Sequence, residues 1–287
     1  MMAVPRSIIG RRLADNIVKM ISGSAAGLGI LALAWILFEV FAKGAAAINW
    51  TFLTAMPTPP FIEGGGLANA IAGTLLMTAI ATLIAVPIGL LAGVYLAEFG
   101  HENRLAVSVR FLANALMGTP SIIIGLFIYT LIVVPTRTFS GYAGALALAI
   151  LMLPVIARTS EDILKLVPNE LRESALALGV PRWRTTVGIV FRAAKSGLLT
   201  GVLLAVARVS GETAPLLFTA LNSRLWISSL AEPTANLTVT IYKYAMSPYP
   251  DWQQKAWGAS LLITAGVLVT TIAARLIIQR GRGGSGR

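Results

Sequence analysis

Residues 197–221 read GLLTGVLLAVARVSGETAPLLFTAL, an apolar stretch interrupted by Arg208 and Glu212. About 20 apolar residues in a helix cross the hydrocarbon of a bilayer, so this stretch is long enough to span. An ionised side chain at mid-membrane costs at least about 2.5–3.5 kcal/mol on insertion scales. Two of them four positions apart lie on nearly the same helix face. Charges so placed turn toward a protein interior or a substrate pathway rather than toward lipid. The segment therefore decides the fold class, a helical membrane protein, and marks where transport chemistry would sit.

The rest of the chain agrees. Of 287 residues, 56% are hydrophobic and only 12% charged, and the mean hydropathy is +0.78. A soluble domain carries roughly 25% charged residues. The chain has no cysteine and one histidine, His101. Disulfides, thiol chemistry, histidine triads and multi-histidine metal sites are thereby excluded within it. The N-terminus, MMAVPRSIIGRRLADNIVKM, is basic and precedes an apolar run, but no small-residue cleavage site follows. It reads as an arm, residues 1–20, leading into a first span rather than as a signal peptide.

Six apolar stretches are drawn at about 21–42, 67–97, 105–134, 141–157, 197–221 and 258–278. The expected fold is all-α, a polytopic membrane protein with six transmembrane helices. Its membrane domain covers 21–278, with a core from about 67, a polar loop at 157–196 and a tail at 279–287. Pro87 and Pro120 fall inside spans, where a missing backbone donor favours a kink that shapes packing. Gly73, Gly89, Gly93, Gly125 and Gly144 suit close helix packing in lipid.

An even number of spans puts both termini on one side, and charge decides which. Arg6, Arg11, Arg12 and Lys19 of the arm, Arg104 and Arg110, the 157–196 loop and the tail ending at Arg287 share one side. The other side carries Lys43, Arg137, Arg224, Lys243 and Lys255. Both termini are therefore expected in the cytoplasm. The net charge of +11 follows from topology and contact with anionic lipid rather than from nucleic-acid binding. His101 reads as a solvated loop residue, and Glu39 is placed to pair with Lys43 at the outer interface. In the outer segment 222–257, Trp226, Tyr242, Tyr244, Tyr249, Trp252 and Trp257 suit a membrane interface or a docking surface for an outer partner equally well.

The polar loop contains a short helix at 168–178. Pro168 fits the first helical position and Glu170 the positive N-terminal end. Gly179 fits the left-handed position past the C-terminus, and Pro181 prevents continuation. Leu171, Ala175 and Leu178 share one face. A helix of about 11 residues is marginal alone, so the stripe is buried either on this protein's own loop or in a groove of another.

Glu173-Ser174-Ala175, three residues and Gly179, with Ile189 ten positions on, resembles the EAA motif of ATP-binding-cassette (ABC) importer permeases. Ser174 and the pair Phe191-Arg192 depart from the usual pattern. The strings LPVIARTSEDILKLVPNELRESALALG, ARVSGETAPLLFTA and GTPSIIIGLFIY extend the likeness, as does NAIAGTLLMTAIATLIAVPIGLLAGVYLAEFG. From about residue 64 to 260 the chain resembles A-type permease subunits of phosphate-specific ABC importers. These belong to the binding-protein-dependent transport inner-membrane component family.

That resemblance implies a type I, MetI-like transmembrane domain in a bacterial-type plasma membrane. It implies a coupling helix in which Leu171, Glu173, Ser174, Ala175, Leu178 and Gly179 meet an ATPase. It also implies a C-type permease partner, two ATP-binding subunits and an outer phosphate-binding protein. The chain has no P-loop: before Lys195-Ser196, Ile189 and Ala194 occupy the required glycine positions. ATP and Mg²⁺ would be bound by the partner, and this chain is expected to be a transport subunit without a cofactor rather than an enzyme.

Arginine is a natural first donor for phosphate, because its planar fork matches the oxygens bidentately. Arg208 holds that role, and Glu212, one turn on, neutralises it when no anion is bound. A carboxylate there also favours the proton that phosphate keeps at neutral pH and sulfate lacks. Thr213, Thr119 and Ser121 are secondary ligand candidates, although hydroxyls in spans commonly bond their own backbone. The competing account of Arg208 and Glu212 is a static buried pair, a poor stabiliser because desolvation offsets the attraction. Arg158 and Arg172 read as topology or docking residues. A permease for another oxyanion, such as a phosphonate, and an ATPase-independent secondary transporter with Glu212 as proton relay are the alternative functions. An intramembrane enzyme finds no cysteine or intramembrane histidine to work with.

Overall fold

A computed structural model of the chain describes residues 8–62, 64–100 and 103–283. Their regular structure is entirely helical. In order, the helices are α1 (Ile8–Gly44), α2 (Trp50–Thr54), α3 (Ala68–Phe99), α4 (Arg104–Gly118), α5 (Ser121–Thr136) and α6 (Gly141–Lys165). There follow α7 (Asn169–Ala177), α8 (Arg182–Ser210), α9 (Ala214–Thr219), α10 (Leu237–Ala245) and α11 (Pro250–Gly283). Arg6, His101 and Arg287 lie outside the described residues.

Five helices, α1, α3, α6, α8 and α11, are each long and apolar enough to cross a bilayer. The expected span at 105–134 is instead a broken one, since α4 and α5 meet at 104°. Pro120 explains the break. A residue before proline is pushed out of the helical region, and Thr119 is extended at φ −79°, ψ 131°. Pro87 lies within the unbroken α3. Other expected boundaries shift as well. The basic arm from Ile8 onward continues the first helix, and much of the 157–196 loop belongs to α6 and α8. The segment 197–221 leaves the helix after Ser210.

Helices α3 and α6 form the centre of the bundle. A Cβ at Gly89 would lie 2.8 Å from Ile156 Cβ, and one at Gly93 would lie 2.5 Å from Ser160 Cβ. Lipid supplies no hydrophobic drive between helices, so small residues that let backbones approach closely carry the association. Met77, Ala81, Ala85, Leu148, Met152 and Ile156 are buried around this crossing. Helix α1 joins the bundle at its C-terminal end, where Gly44 meets Trp257 and Leu261. There the expected Glu39–Lys43 pair forms at 3.0 Å, with Lys43 over the Trp257 ring at 4.9 Å.

The aromatic residues of the outer segment divide. Trp226 and Tyr242 are exposed, but Tyr244 is buried and stacks on Trp252 with ring centroids 4.6 Å apart. Tyr249 meets Trp252 edge-on at 5.4 Å. Half of the set is thus internal packing rather than interface.

If the α3–α6 crossing holds the bundle, Gly93→Val should destabilise the solubilised protein by about 1–3 kcal/mol. Gly23→Val, whose Cβ would meet nothing within 4 Å, should stay within about 0.5 kcal/mol of the native chain. Thermal unfolding in detergent reads both, and equal effects would show that the close approach is not what holds the helices.

Candidate functional site

Arg208 stands in the last turn of α8, and Glu212 lies beyond its end. The helix stops because Gly211 is a poor helix former and Pro215 starts a new helix, α9, without needing an N–H partner. The last turn tightens instead. Gly211 N–H donates to the Arg208 carbonyl at 3.2 Å, and Glu212 N–H donates to the Val209 carbonyl at 3.1 Å. The Thr238 hydroxyl of α10 donates to the Glu212 carbonyl at 2.8 Å. The two charges are therefore not one turn apart on a continuous helix, as the spacing suggested. They flank a break.

Their geometry is loose. Arg208 Nε and Glu212 Oε1 are 4.0 Å apart, and the side chains are 53% and 17% exposed. That separation is beyond hydrogen-bond range. The guanidinium keeps its donors free while the carboxylate stays near enough to offset its charge.

The secondary candidates differ among themselves. The Thr119 hydroxyl donates to the Ala115 carbonyl at 2.8 Å, the local bond common for threonine in helices. Thr213 caps α9 through its backbone, accepting from Leu216 N–H, and its hydroxyl makes no bond among the described residues. Ser121 opens α5 with its hydroxyl likewise unbonded. Helices α5 and α9 pack together, and a Cβ at Gly125 would lie 2.6 Å from Pro215 Cα. The structure thus brings the segments after the two breaks into contact, but forms no bond between Thr119 or Ser121 and Arg208 or Glu212.

At the far end of α8 lies α7, the short helix anticipated from sequence. Pro168 precedes the helix as its cap rather than occupying the first helical position. The C-terminus ends as anticipated, with Gly179 at φ +77°. Gly179 N–H donates to the Leu176 carbonyl and Val180 N–H to the Ala175 carbonyl, the paired bonds that close a helix in a Schellman motif. Of the expected stripe only Ala175 is buried. Leu178 is 84% exposed, Leu171 and Leu176 are exposed too, and so are Glu173 and Ser174.

Two groups differ from the expectation that Arg158 and Arg172 are topology or docking residues, because both pair within the protein. Arg172 is a clamp: Nη2 donates to Glu98 Oε1 at 2.7 Å and to the Leu164 carbonyl at 2.8 Å. Its Nη1 donates to the Val167 carbonyl at 2.5 Å. It ties α7 to the ends of α3 and α6. Glu161, fully buried, receives bonds from Arg110 at 2.7 Å, Lys165 at 2.6 Å and Arg158. Helical spacing of Arg158, Glu161 and Lys165 is the signal that would have shown this cluster, had α6 been carried past residue 157.

The chain is similar to known proteins in sequence and in fold. The family described as binding-protein-dependent transport system inner membrane component matches residues 85–283. A phosphate transport system permease protein PstA of Yersinia pestis is 48% identical, covering 94% of this chain and 92% of its own length. A protein of the same name from Haemophilus influenzae is 52% identical over 88% of this chain and 89% of its own. An inward-facing structure of the MetNI methionine ABC transporter superimposes with a TM-score of 0.63. It covers 75% of this chain and 95% of its own at 20% identity, a likeness of fold.

Removing the Arg172 clamp leaves Glu98, 10% exposed, without its cation. Breaking one side of a buried pair costs about 3–5 kcal/mol. Arg172→Ala should therefore free α7, seen as faster amide hydrogen exchange at 169–178 with the centre of α6 unchanged. Unchanged exchange in α7 would show that Ala175 packing alone holds it.

Proposed function

This chain belongs to the binding-protein-dependent transport system inner membrane component family, and we propose that it is the membrane-spanning permease subunit of an ATP-driven importer of inorganic phosphate. It is a multi-pass inner-membrane protein with a MetI-like fold. Both termini lie in the cytoplasm, which the Lys and Arg asymmetry supports.

The observation that carries the substrate assignment to a site is the half-exposed Arg208 beside a carboxylate it does not bind. A phosphate crossing the membrane exchanges its water shell for protein donors, and a free guanidinium fork supplies two at once. The exposed face of α8 at Arg208 turns toward the path shared with a second permease subunit. Glu212 offsets the charge when the path is empty and accepts a hydrogen bond from the hydroxyl that phosphate keeps at neutral pH. The unbonded hydroxyls of Thr213 and Ser121 serve as further ligands.

ATP and Mg²⁺ are bound by two copies of a partner ATPase, since the chain has no phosphate-cradling P-loop. The exposed Leu171 and Leu178, with Glu173 and Ser174 beside the buried Ala175, and Gly179 at the helix end, dock on that partner. The exposure of the two leucines and the rigid Gly179 closure support this. A C-type permease completes the pathway, and an outer phosphate-binding protein delivers the anion. Nucleotide-driven closure of the ATPases moves α7 and biases a bundle with two arrangements.

Radiolabelled phosphate uptake by the assembled complex, in cells lacking their own high-affinity importer, tests the site. Arg208→Gln should lower uptake at least roughly 10-fold at equal assembly, as expected for losing charge-assisted bonds. Unchanged uptake would demote the pair to a structural bridge. Glu212→Gln should let sulfate compete with phosphate; sulfate exclusion as strong as in the native complex would remove the role of Glu212 as acceptor for the phosphate hydroxyl.

A further inference from the structure

Two of the cations assigned to the outer face are already engaged. Lys43 pairs with Glu39, and Lys255 donates to the Gly64 carbonyl at 2.6 Å. Arg224 and Lys243 are not: every ion pair among the described residues lies elsewhere. Instead both line one cleft of about 200 Å³, together with Asn222, Tyr244 and Trp252. No carboxylate lines it.

The cleft is built to hold its charges in place. The Arg224 guanidinium lies 5.2 Å from the centroid of the Trp252 ring, and Trp252 is itself stacked on buried Tyr244 at 4.6 Å. Stacking occupies the face of a guanidinium and leaves its N–H edge available to an oxyanion. Partial desolvation first, and the like charge of Arg224 second, push the Lys243 ammonium below the ordinary lysine range, although the residue is still exposed. Burial raises the Tyr244 phenol above its usual range, so it remains a protonated donor, and it makes no hydrogen bond within the described residues. Two like charges and a free hydroxyl facing one cavity are relieved together by a bound anion.

We propose that Arg224 and Lys243 form an outer-face site for a tetrahedral oxyanion, inorganic phosphate, at the mouth of the pathway. The site rests on the importer reading above, and its Lys243 lies on the same short helix that braces Glu212. Thr238, which bonds the Glu212 carbonyl, and Lys243 are five residues apart on α10, roughly 7.5 Å of helix rise. The cleft therefore holds phosphate close to the break without occupying Arg208, and raises the local concentration of the anion at the path.

The test uses the assembled complex in nanodiscs of zwitterionic lipid, with labelled inorganic phosphate and no binding protein or nucleotide. The Arg224→Gln/Lys243→Gln double variant should bind phosphate roughly 10- to 100-fold more weakly. Lys243→Arg should keep most of the affinity, and Arg208→Gln should retain phosphate binding at the cleft while losing uptake. In the native complex, phosphate should slow modification of Lys243 by an amine-reactive reagent but not that of Lys19. This last measurement decides the matter even if a neutral variant fails to assemble. Unchanged affinity in the double variant, or no phosphate protection of Lys243, overturns the proposal. So does protection by phosphatidylglycerol alone, which assigns the cleft to a lipid headgroup. Loss only of ATPase stimulation by the loaded binding protein overturns it in favour of protein docking. Native uptake without Lys243 protection sinks this site alone, whereas absent native uptake sinks the importer reading on which it rests.

Discussion

Backbone that leaves a helix inside a membrane must find its hydrogen-bond partners within the protein, and that constraint orders the outer half of this molecule. The chain leaves the helix twice within apolar segments, at Thr119–Pro120 and at Gly211–Thr213. The Glu212 carbonyl released by the second break is taken by Thr238 of α10. Helix α10 is fixed in turn. Asn236 caps it by accepting from Val239 N–H at 2.8 Å, and Leu237 N–H donates to the Thr74 hydroxyl of α3 at 2.8 Å. The break that frees Glu212 is thus anchored to the central helix through a brace of nine residues. Close contact of Gly125 with Pro215 then joins the two broken segments.

The two kinds of charge pair in the chain separate by geometry. Glu161 is buried and Glu98 largely so, both are hydrogen-bonded to cations at 2.6–2.7 Å, and they sit at the junction of α3, α4, α6 and α7. Those pairs answer to the description of static bridges. Desolvation offsets much of their attraction, but each has the several donors that make burial tolerable. Arg208 and Glu212 share the same chemistry and none of that geometry. A guanidinium half in the open at 4.0 Å from its carboxylate contributes little to stability. It is better placed to exchange partners than to hold helices together.

Much of the architecture was legible from the apolar stretches, and the closure of α7 was legible down to the left-handed Gly179. The end of α8 was not. Hydropathy runs on past Ser210, and only the local signals of Gly211 and Pro215 mark the break within an otherwise spanning segment. The α4–α5 bend followed from Pro120 in kind but not in degree, because 104° depends on what α5 packs against. The helical character of residues 158–165 was hidden by their polarity, since charged residues that satisfy one another at the end of a span look like a loop. The Arg172–Glu98 clamp joins residues 74 positions apart, and no local pattern announces such a pair. The aromatic residues of the outer segment were legible as a group, but only the fold divides Tyr244 and Trp252 from exposed Trp226.

These parts also form one contiguous route from α7 to the break. Arg172 holds α7 to the ends of α3 and α6. Glu161 of α6 holds Arg110 of α4, whose Nη2 also donates to the Leu96 carbonyl of α3 at 2.8 Å. Helix α4 leads through the Pro120 bend to α5, α5 meets α9 at Gly125 and Pro215, and α9 follows Glu212. The covalent route through α8 is shorter but passes Gly179 and a widened π turn at Thr186–Val190, where helical hydrogen bonding is irregular. Two routes, one through charge pairs and one along the chain, therefore lead from α7 to the same break. Coupling between distant sites needs an element with two arrangements rather than a chain of contacts alone. The sharply bent α4–α5 junction and the π turn at Tyr95–Phe99 are the places on the clamped path where the backbone departs from regular helix.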